Sequence, residues 1–441
     1  MRLYREGSRS ITWMQGAMLC VEGLRNPFLG ELVSVETPEG TWRGEVVGLK
    51  DSSCKVHLFD GVSGLRSEVA TVWLEGCLPG PLVSERLQGV QVNGFGEVDG
   101  QKSFLGEHLP LERPLPPLLS RKLPSRPFET GRGALDLFFP LFMGQVMGLG
   151  LSPGLPGEAF LPGLLKDLRI VDGIKPPLTV LAAIGRSRNE ASRLISVLRE
   201  DPDFGEALLV LSSETVSASE RCATIKTALT VAEYFAFSLE RDVVLVALDM
   251  EAHEAARRER AEEQGQTPSG TEEAFARLSE RCGCRVDTEG TLTFLPVFSC
   301  QGRGASPLME ATKSLMQGCW IWNSTGRGSF SLDLENSCSS LISRTGRNVT
   351  FTGHRLVADQ LRASYLRRRA VRGSTQEDAF IARFDRVFLR ARRRFSLART
   401  ESVAWRLLTK LPSEELVFLT EPLRRKVQMN KTSSRDDGLL F

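Results

Sequence analysis

Nowhere does the chain carry the ~20 uninterrupted apolar residues that a membrane-crossing helix needs. The richest run, Leu135–Leu151, is broken by Pro140, Gly144, Gln145, Gly148 and Gly150. Residues Met1 to Arg9 carry mixed charge with no apolar segment behind them, so no secretory signal is expected. A surplus of one charge is also lacking. Lys and Arg number 56 against 54 Asp and Glu, and the net charge of +2 implies neither nucleic acid nor a membrane surface as partner. The nine cysteines are scattered and odd in number, which argues against a disulfide framework. Cys282 and Cys284 form a lone C-x-C near a turn at Gly283. The four histidines (His57, His108, His253, His354) do not cluster with that pair, so no metal site is expected. Missing too is any Gly-x-x-x-x-Gly-Lys-[Ser/Thr] run. In a phosphate loop that lysine neutralises the β/γ-phosphates and the hydroxyl holds Mg²⁺. Autonomous ATP hydrolysis is therefore not expected.

What is present reads as a soluble globular protein, with 41% apolar and 25% charged residues in 441, enough for two or three domains. Up to about Glu75 the pattern is all-β. Pro38-Glu39-Gly40 separates Leu32–Val35 from Trp42–Leu49, and Lys55–Phe59 and Val69–Trp73 follow. Short strands at tight spacing favour a small barrel, because closure removes exposed edges. From Leu78 to Arg126 the chain is rich in Pro, Gly and Leu and is expected to be extended, with little regular structure. Strand and helix then alternate: Leu178–Ile184, Asn189–Arg199, Ala207–Leu211, Ser219–Leu239 with Ser219 as its cap, and Val243–Leu248. That order argues for a parallel sheet with right-handed crossovers. From His354 the periodicity is helical. Phe380, Ile381, Phe384, Val387 and Phe388 form one stripe, and Val403, Ala404, Leu407 and Leu408 another. The polar end from Asn430 is expected to be disordered.

Asp249 ends a buried strand, where a carboxylate can hold Mg²⁺ or simply cap the next helix; taken by itself it favours the cap. The turn Leu151-Ser152-Pro153-Gly154-Leu155-Pro156-Gly157 offers backbone N–H groups to a phosphate, but it has no lysine, and its two prolines each remove a donor. After Leu178–Ile184, where a catalytic base would stand, the chain reads Gly185-Arg186-Ser187-Arg188. Arg367-Arg368-Arg369-Arg372 and Arg390-Arg392-Arg393-Arg394 are the strongest charge feature. No aromatic platform interleaves with them, so a solvated helical face is favoured, a protein partner comes second, and no nucleic acid is expected.

Several segments resemble the large head subunits of rotary ATPases, and the B subunit of the V/A type in particular. Thr37-Pro38-Glu39-Gly40-Thr41 and Val56–Leu65 are similar to that family's barrel hairpin. Glu129-Thr130-Gly131-Arg132-Gly133-Ala134-Leu135-Asp136 resembles its entry to the core, and Gly154-Leu155-Pro156 its degenerate phosphate loop. Ala228–Ala236 is similar to a long family helix. His354, Asp359-Gln360, Tyr365 and Trp405–Leu408 match its helical domain. The resemblance implies a multidomain α/β chain: an N-terminal β-barrel (1–77), a Pro/Gly-rich connection (78–128), a RecA-like parallel-sheet core (129–352), a C-terminal helical domain (353–429) and a tail (430–441). It further implies a non-catalytic subunit that alternates with catalytic A-type subunits in a hexameric head. Shaft and peripheral stalk subunits are the other partners, with the complex on the cytoplasmic face of a membrane whose proton or sodium transport it drives. ATP or ADP with Mg²⁺ is expected at the interface with a catalytic subunit, beside Ser152, Gly154, Leu155, Pro156, Asp249, Ser340 and Arg344.

The sequence departs from the family pattern where an arginine is donated to the neighbour's nucleotide from a Ser-Leu-Ser-Arg motif. Such an arginine is worth ~10³–10⁵ in rate. Here the run is Ser337-Cys338-Ser339-Ser340-Leu341-Ile342, with Ser340 at the arginine position and Arg344 one turn further on. Gln266–Ser269 and 299–353 also diverge. A decayed paralogue serving as an interaction protein outside a rotary complex, and less favourably a RecA-like translocase, are the competing readings.

Overall fold

The computed structural model describes residues 5–98, 105–152, 157–171, 176–199, 207–300, 304–326, 329–344, 349–370, 379–389 and 394–433. Its first seven strands are β1 (Glu6–Ser8), β2 (Ser10–Gln15), β3 (Met18–Glu22), β4 (Leu32–Thr37), β5 (Gly40–Lys50), β6 (Ser53–Leu58) and β7 (Thr71–Leu74). They pair antiparallel in the order β1-β7-β4-β5-β6-β3-β2. The two ends of that order are consecutive strands joined at Arg9. One bent segment therefore lies on both edges, and the sheet curls onto itself. Alternate residues point inward, as period 2 dictates: Val33 and Val35, Val56 and Leu58, Val72 and Leu74 are all buried in one cluster. β4 and β5 close at Thr37↔Gly40, where the Thr37 hydroxyl accepts from Glu39 N–H at 3.2 Å.

A large sheet follows. Its strands are β8 (Gln91–Asn93), β9 (Met147–Leu151), β10 (Leu178–Ala183), β11 (Leu208–Leu211), β12 (Asp242–Leu248), β13 (Thr291–Ser299) and β14 (Gly318–Gly326), with β15 (Ser329–Leu332) on one edge. They run in the order β15-β14-β9-β13-β12-β10-β11-β8, parallel throughout except for β15. Helices cover the sheet: α1 (Gly133–Phe138), α2 (Gly157–Asp167), α3 (Arg188–Arg199), α4 (Ala218–Glu233), α5 (Met250–Glu263), α6 (Thr271–Ser279), α7 (Pro307–Thr312) and α8 (Leu341–Arg344). Because both faces are covered, the central strands are continuous apolar runs. Val243 to Ala247 are all fully buried, and each such Val or Leu contributes ~1.5–3 kcal/mol. The cap of α4 lies two residues earlier than its sequence suggests. Ser217, not Ser219, is its cap and accepts from Glu220 N–H at 3.2 Å, while Ser219 is buried inside the helix. The helix then widens into a π-turn over Tyr234–Ser238.

The Pro-rich connection is less irregular than its composition suggests. Its residues Gln91–Asn93 become the β8 edge of the large sheet, parallel to β11. A buried ion pair ties it down further: the Arg281 guanidinium donates to both Glu233 oxygens at 2.9 and 2.8 Å and to Leu111 C=O at 2.9 Å.

Beyond the sheet lie α9 (His354–Ala370), α10 (Ala379–Phe384), a π-turn over Asp385–Leu389, α11 (Leu397–Leu408) and α12 (Glu421–Ser433). Tyr365 stacks on Phe384 with centroids 4.2 Å apart, and Phe384 packs on Phe388 and on Phe138 of α1. The helical end thus shares one apolar cluster with the sheet. α12 passes through Asn430, where disorder was expected, and the Lys431 ammonium anchors it by donating to Leu411 C=O at 2.6 Å. Of the arginine runs, Arg368 pairs with Glu415 at 2.8 Å and Arg394 with Glu129 at 3.2 Å; Arg372, Arg390, Arg392 and Arg393 lie outside the described residues.

Candidate functional site

In a parallel sheet covered by helices, ligands meet the carboxyl ends of the strands. Here those ends are Ser152 after β9, Gly185-Arg186 after β10 and Asp249 after β12. β9, β13, β12 and β10 are consecutive neighbours, so all three lie along one edge of the sheet.

Asp249 stands in the left-handed region (φ 68°), which aspartate tolerates better than most side chains. Its Oδ1 accepts from Ala252 N–H at 2.9 Å, capping α5, and its Oδ2 faces Arg186 Nη2 at 3.4 Å. Gly185, at φ +60°, turns the chain so that Arg186 can reach across. The Arg186 backbone N–H is held by Ser212 C=O at 3.2 Å. The one carboxylate able to take Mg²⁺ at this strand end is therefore engaged by a helix terminus and a guanidinium.

Glu251, two residues on, was not singled out from the sequence. Its carboxylate accepts from Ser299 N–H at 3.0 Å and from the Ser306 hydroxyl at 2.7 Å. Burial pushes it above the usual carboxylate range, against those hydrogen bonds. It ties the end of β13 to α5 and the start of α7. The signal was the Asp249-Met250-Glu251 pattern at a strand end, but its partners lie 48 and 55 residues away.

Ser152 is buried, and its hydroxyl lies 3.0 Å from Asn323 Oδ1. Asn323 in turn donates to Asp333 at 2.9 Å. Burial pushes the Asp333 carboxyl up, but donors from Asn336, Glu335 and Asn323 outweigh it and hold the group below its ordinary value. Gly154, Leu155 and Pro156 lie outside the described residues.

Ser340 is at the other edge of the sheet. Its N–H and hydroxyl both donate to Gln317 C=O, at 2.8 and 2.9 Å, just before β14 begins. Asn323, the partner of Ser152, is six residues further along that strand, ~20 Å at the usual rise. Within one chain, Ser152 and Asp249 share an edge and Ser340 does not. Arg344 ends α8, and its side chain lies outside the described residues. Among the described residues no group of three His, Cys, Asp or Glu is arranged to hold a metal, and no helix is long and apolar enough to cross a membrane.

Residues 131–330 match the family model for the ATP synthase alpha/beta family, nucleotide-binding domain. That span runs from the entry to α1 through β9–β14, and so includes both strand-end residues of the Arg186–Asp249 pair. Proteins of this family bind nucleotide and assemble with other rotary ATPase subunits. Residues 131–330, which carry the central strands β9–β14, are thus similar to the nucleotide-binding domain of F/V/A-type ATPase alpha/beta proteins.

Proposed function

We propose that this chain is the non-catalytic B-type subunit of a V/A-type rotary ATPase or ATP synthase. It alternates with catalytic A-type subunits in the head and contributes to coupling rather than to hydrolysis. The observation that carries this is the Arg186–Asp249 pair, 3.4 Å apart. A guanidinium stands where a hydrolytic site needs a water-positioning carboxylate, and it occupies the carboxylate that could hold Mg²⁺. The missing phosphate-loop lysine supports the same conclusion. Nucleotide, where present, is held without turnover at the border with a catalytic neighbour. The placement of Ser340 away from Ser152 and Asp249 agrees with this: that edge serves a neighbour's site, not the chain's own.

Two measurements test this. Affinity isolation of the chain from its own cell, followed by mass spectrometry, is expected to recover a catalytic A-type subunit with shaft and stalk subunits. The purified chain alone is expected to show no ATP turnover. Turnover abolished by Asp249→Asn, or isolation of the chain with no rotary subunit, overturns the proposal.

A further inference from the structure

Two of the nine cysteines face each other. Cys319, in β14, is directly opposite Cys338 of the two-residue strand Cys338–Ser339, antiparallel to it. Their sulfurs are 3.5 Å apart. Directly opposed antiparallel residues have Cα atoms ~4.5–5.5 Å apart, inside the ~4.4–6.8 Å that a disulfide spans. Cys338 is exposed and Cys319 is fully buried behind it.

We propose that Cys338 and Cys319 form a thiol–disulfide exchange site, with Cys338 as the attacking thiol and Cys319 as the resolving one. The co-reactant is a small-molecule disulfide. The Cys338 thiolate attacks one of its sulfurs, forming a mixed disulfide and releasing one small thiolate. Cys319 then gives up its proton and attacks the Cys338 sulfur, releasing the second small thiol. The two protein thiols lose two electrons and two protons, and one small disulfide becomes two thiols.

The surroundings separate the two roles. The hydrogen bond from Cys319 holds the Cys338 thiol down to about 6 against its partial burial, with the Lys313 and Arg362 charges helping. The same bond, then burial, pushes Cys319 up. A low-pKa exposed thiol beside a resolving one is the arrangement that exchanges readily. At Cys54, Cys284 and Cys300 burial prevails and pushes the thiols up to about 11. Closing the bond staples the start of β14 to the segment that carries Ser340, whose N–H and hydroxyl already hold Gln317. The site does not depend on the rotary assignment.

The full chain is incubated with oxidised glutathione, alkylated, and mapped by peptide mass spectrometry. The expected product links the Cys319 and Cys338 peptides and leaves the other cysteines alkylated. Cys319→Ser is expected to stop at a glutathione adduct on Cys338. Cys338→Ser is expected to leave Cys319 unmodified. Cys319→Ala, used if the serine variant does not fold, also removes the hydrogen bond to Cys338 and is expected to give the same adduct more slowly. Free Cys319 and Cys338 in the treated wild type, a link from Cys338 to a different cysteine, or no adduct on Cys338 when Cys319 is absent each overturn the proposal.

Discussion

Arg186 and Asp249 end neighbouring parallel strands and meet at 3.4 Å, although 63 residues separate them (249 minus 186). The pair is partly exposed, so its own contribution to stability is small, ~0–1 kcal/mol. The larger role of Asp249 is the cap on α5 and its tolerance of the left-handed backbone. Asp249→Asn keeps both and is expected to cost less than ~1 kcal/mol. Asp249→Ala loses the cap, ~0.5–2 kcal/mol, and adds ~1–2 kcal/mol of backbone strain. Denaturant melts of the two variants check this. Equal losses would show that the ion pair, not the cap, dominates at this strand end.

Asp136 makes stability depend on pH. It is fully buried, and burial pushes its carboxyl up to about 7, against the Thr130 N–H and hydroxyl, which both donate to Oδ1 at 2.8 Å. In the unfolded chain the group ionises near its ordinary 3.8. The sign follows. The contribution is complete below about pH 4 and is lost as pH rises toward 7, because the unfolded chain has released a proton that the folded one keeps. The slope reaches at most ~1.4 kcal/mol per pH unit. His57, His253 and His354 act oppositely, since burial lowers each and their charging in the unfolded chain favours unfolding in acid. They are common to both proteins when wild type is compared with Asp136→Asn. The wild-type-minus-variant difference in stability is therefore expected to fall steadily from pH 4 to pH 7, and a flat difference would place the Asp136 carboxyl back in the ordinary range.

Gly131 lies in the segment that resembles the family's entry to the core. It sits at φ +69°, and a Cβ there would come within 2.9 Å of Asp167 Cβ and Arg394 Cγ. Asp167 also pairs with Arg132 at 3.5 Å, so it is not free to yield. Gly131→Ala is expected to cost ~2 kcal/mol or more from backbone strain plus crowding. A thermal shift within error of wild type would mean that the loop relaxes.

Much of this architecture was legible because it rests on local patterns. β10, β11 and β12 announce themselves as apolar runs ending at glycine, serine or aspartate, and the Phe380–Phe388 stripe as helical spacing. β1 to β3 fall inside the stretch that reads as all-β, but the sequence marks no bounds for them. Ser10–Gln15 mixes polar and apolar residues on a half-exposed strand whose pairing with β3 is interrupted by a bulge. β8 was missed because Gln-Val-Asn is too short to carry a period, and only β11 makes it a strand. At the site, Asp249 and the absence of a base near Arg186 were both readable. Their pairing was not, nor was that of Ser152 with Asn323, because sheet order brings each pair together and sheet order leaves no mark at either position.

The tie between the connection and the sheet is likewise tertiary, and it is open to a mutant cycle. Arg281 and Glu233 are both 5% exposed and bonded twice, at 2.9 and 2.8 Å. Removing one partner of a buried pair strands the other charge, at ~3–5 kcal/mol. The two sides are not equivalent. Arg113, on the connection, lies 3.2 Å from Glu233 and is itself one-third exposed. In Arg281→Met, Glu233 keeps that second cation. In Glu233→Gln, Arg281 loses its counter-charge and one acceptor, and keeps at most the amide oxygen with Leu111 C=O at 2.9 Å and the Thr230 hydroxyl at 3.1 Å. Glu233→Gln is therefore expected to be the more destabilising single change, and combining the two to cost less than their sum, since no charge is then stranded beside Thr230. Urea titrations of the two single variants and the double check both statements. Additive losses, or an Arg281→Met variant weaker than Glu233→Gln, would mean that Arg113 does not take over the carboxylate.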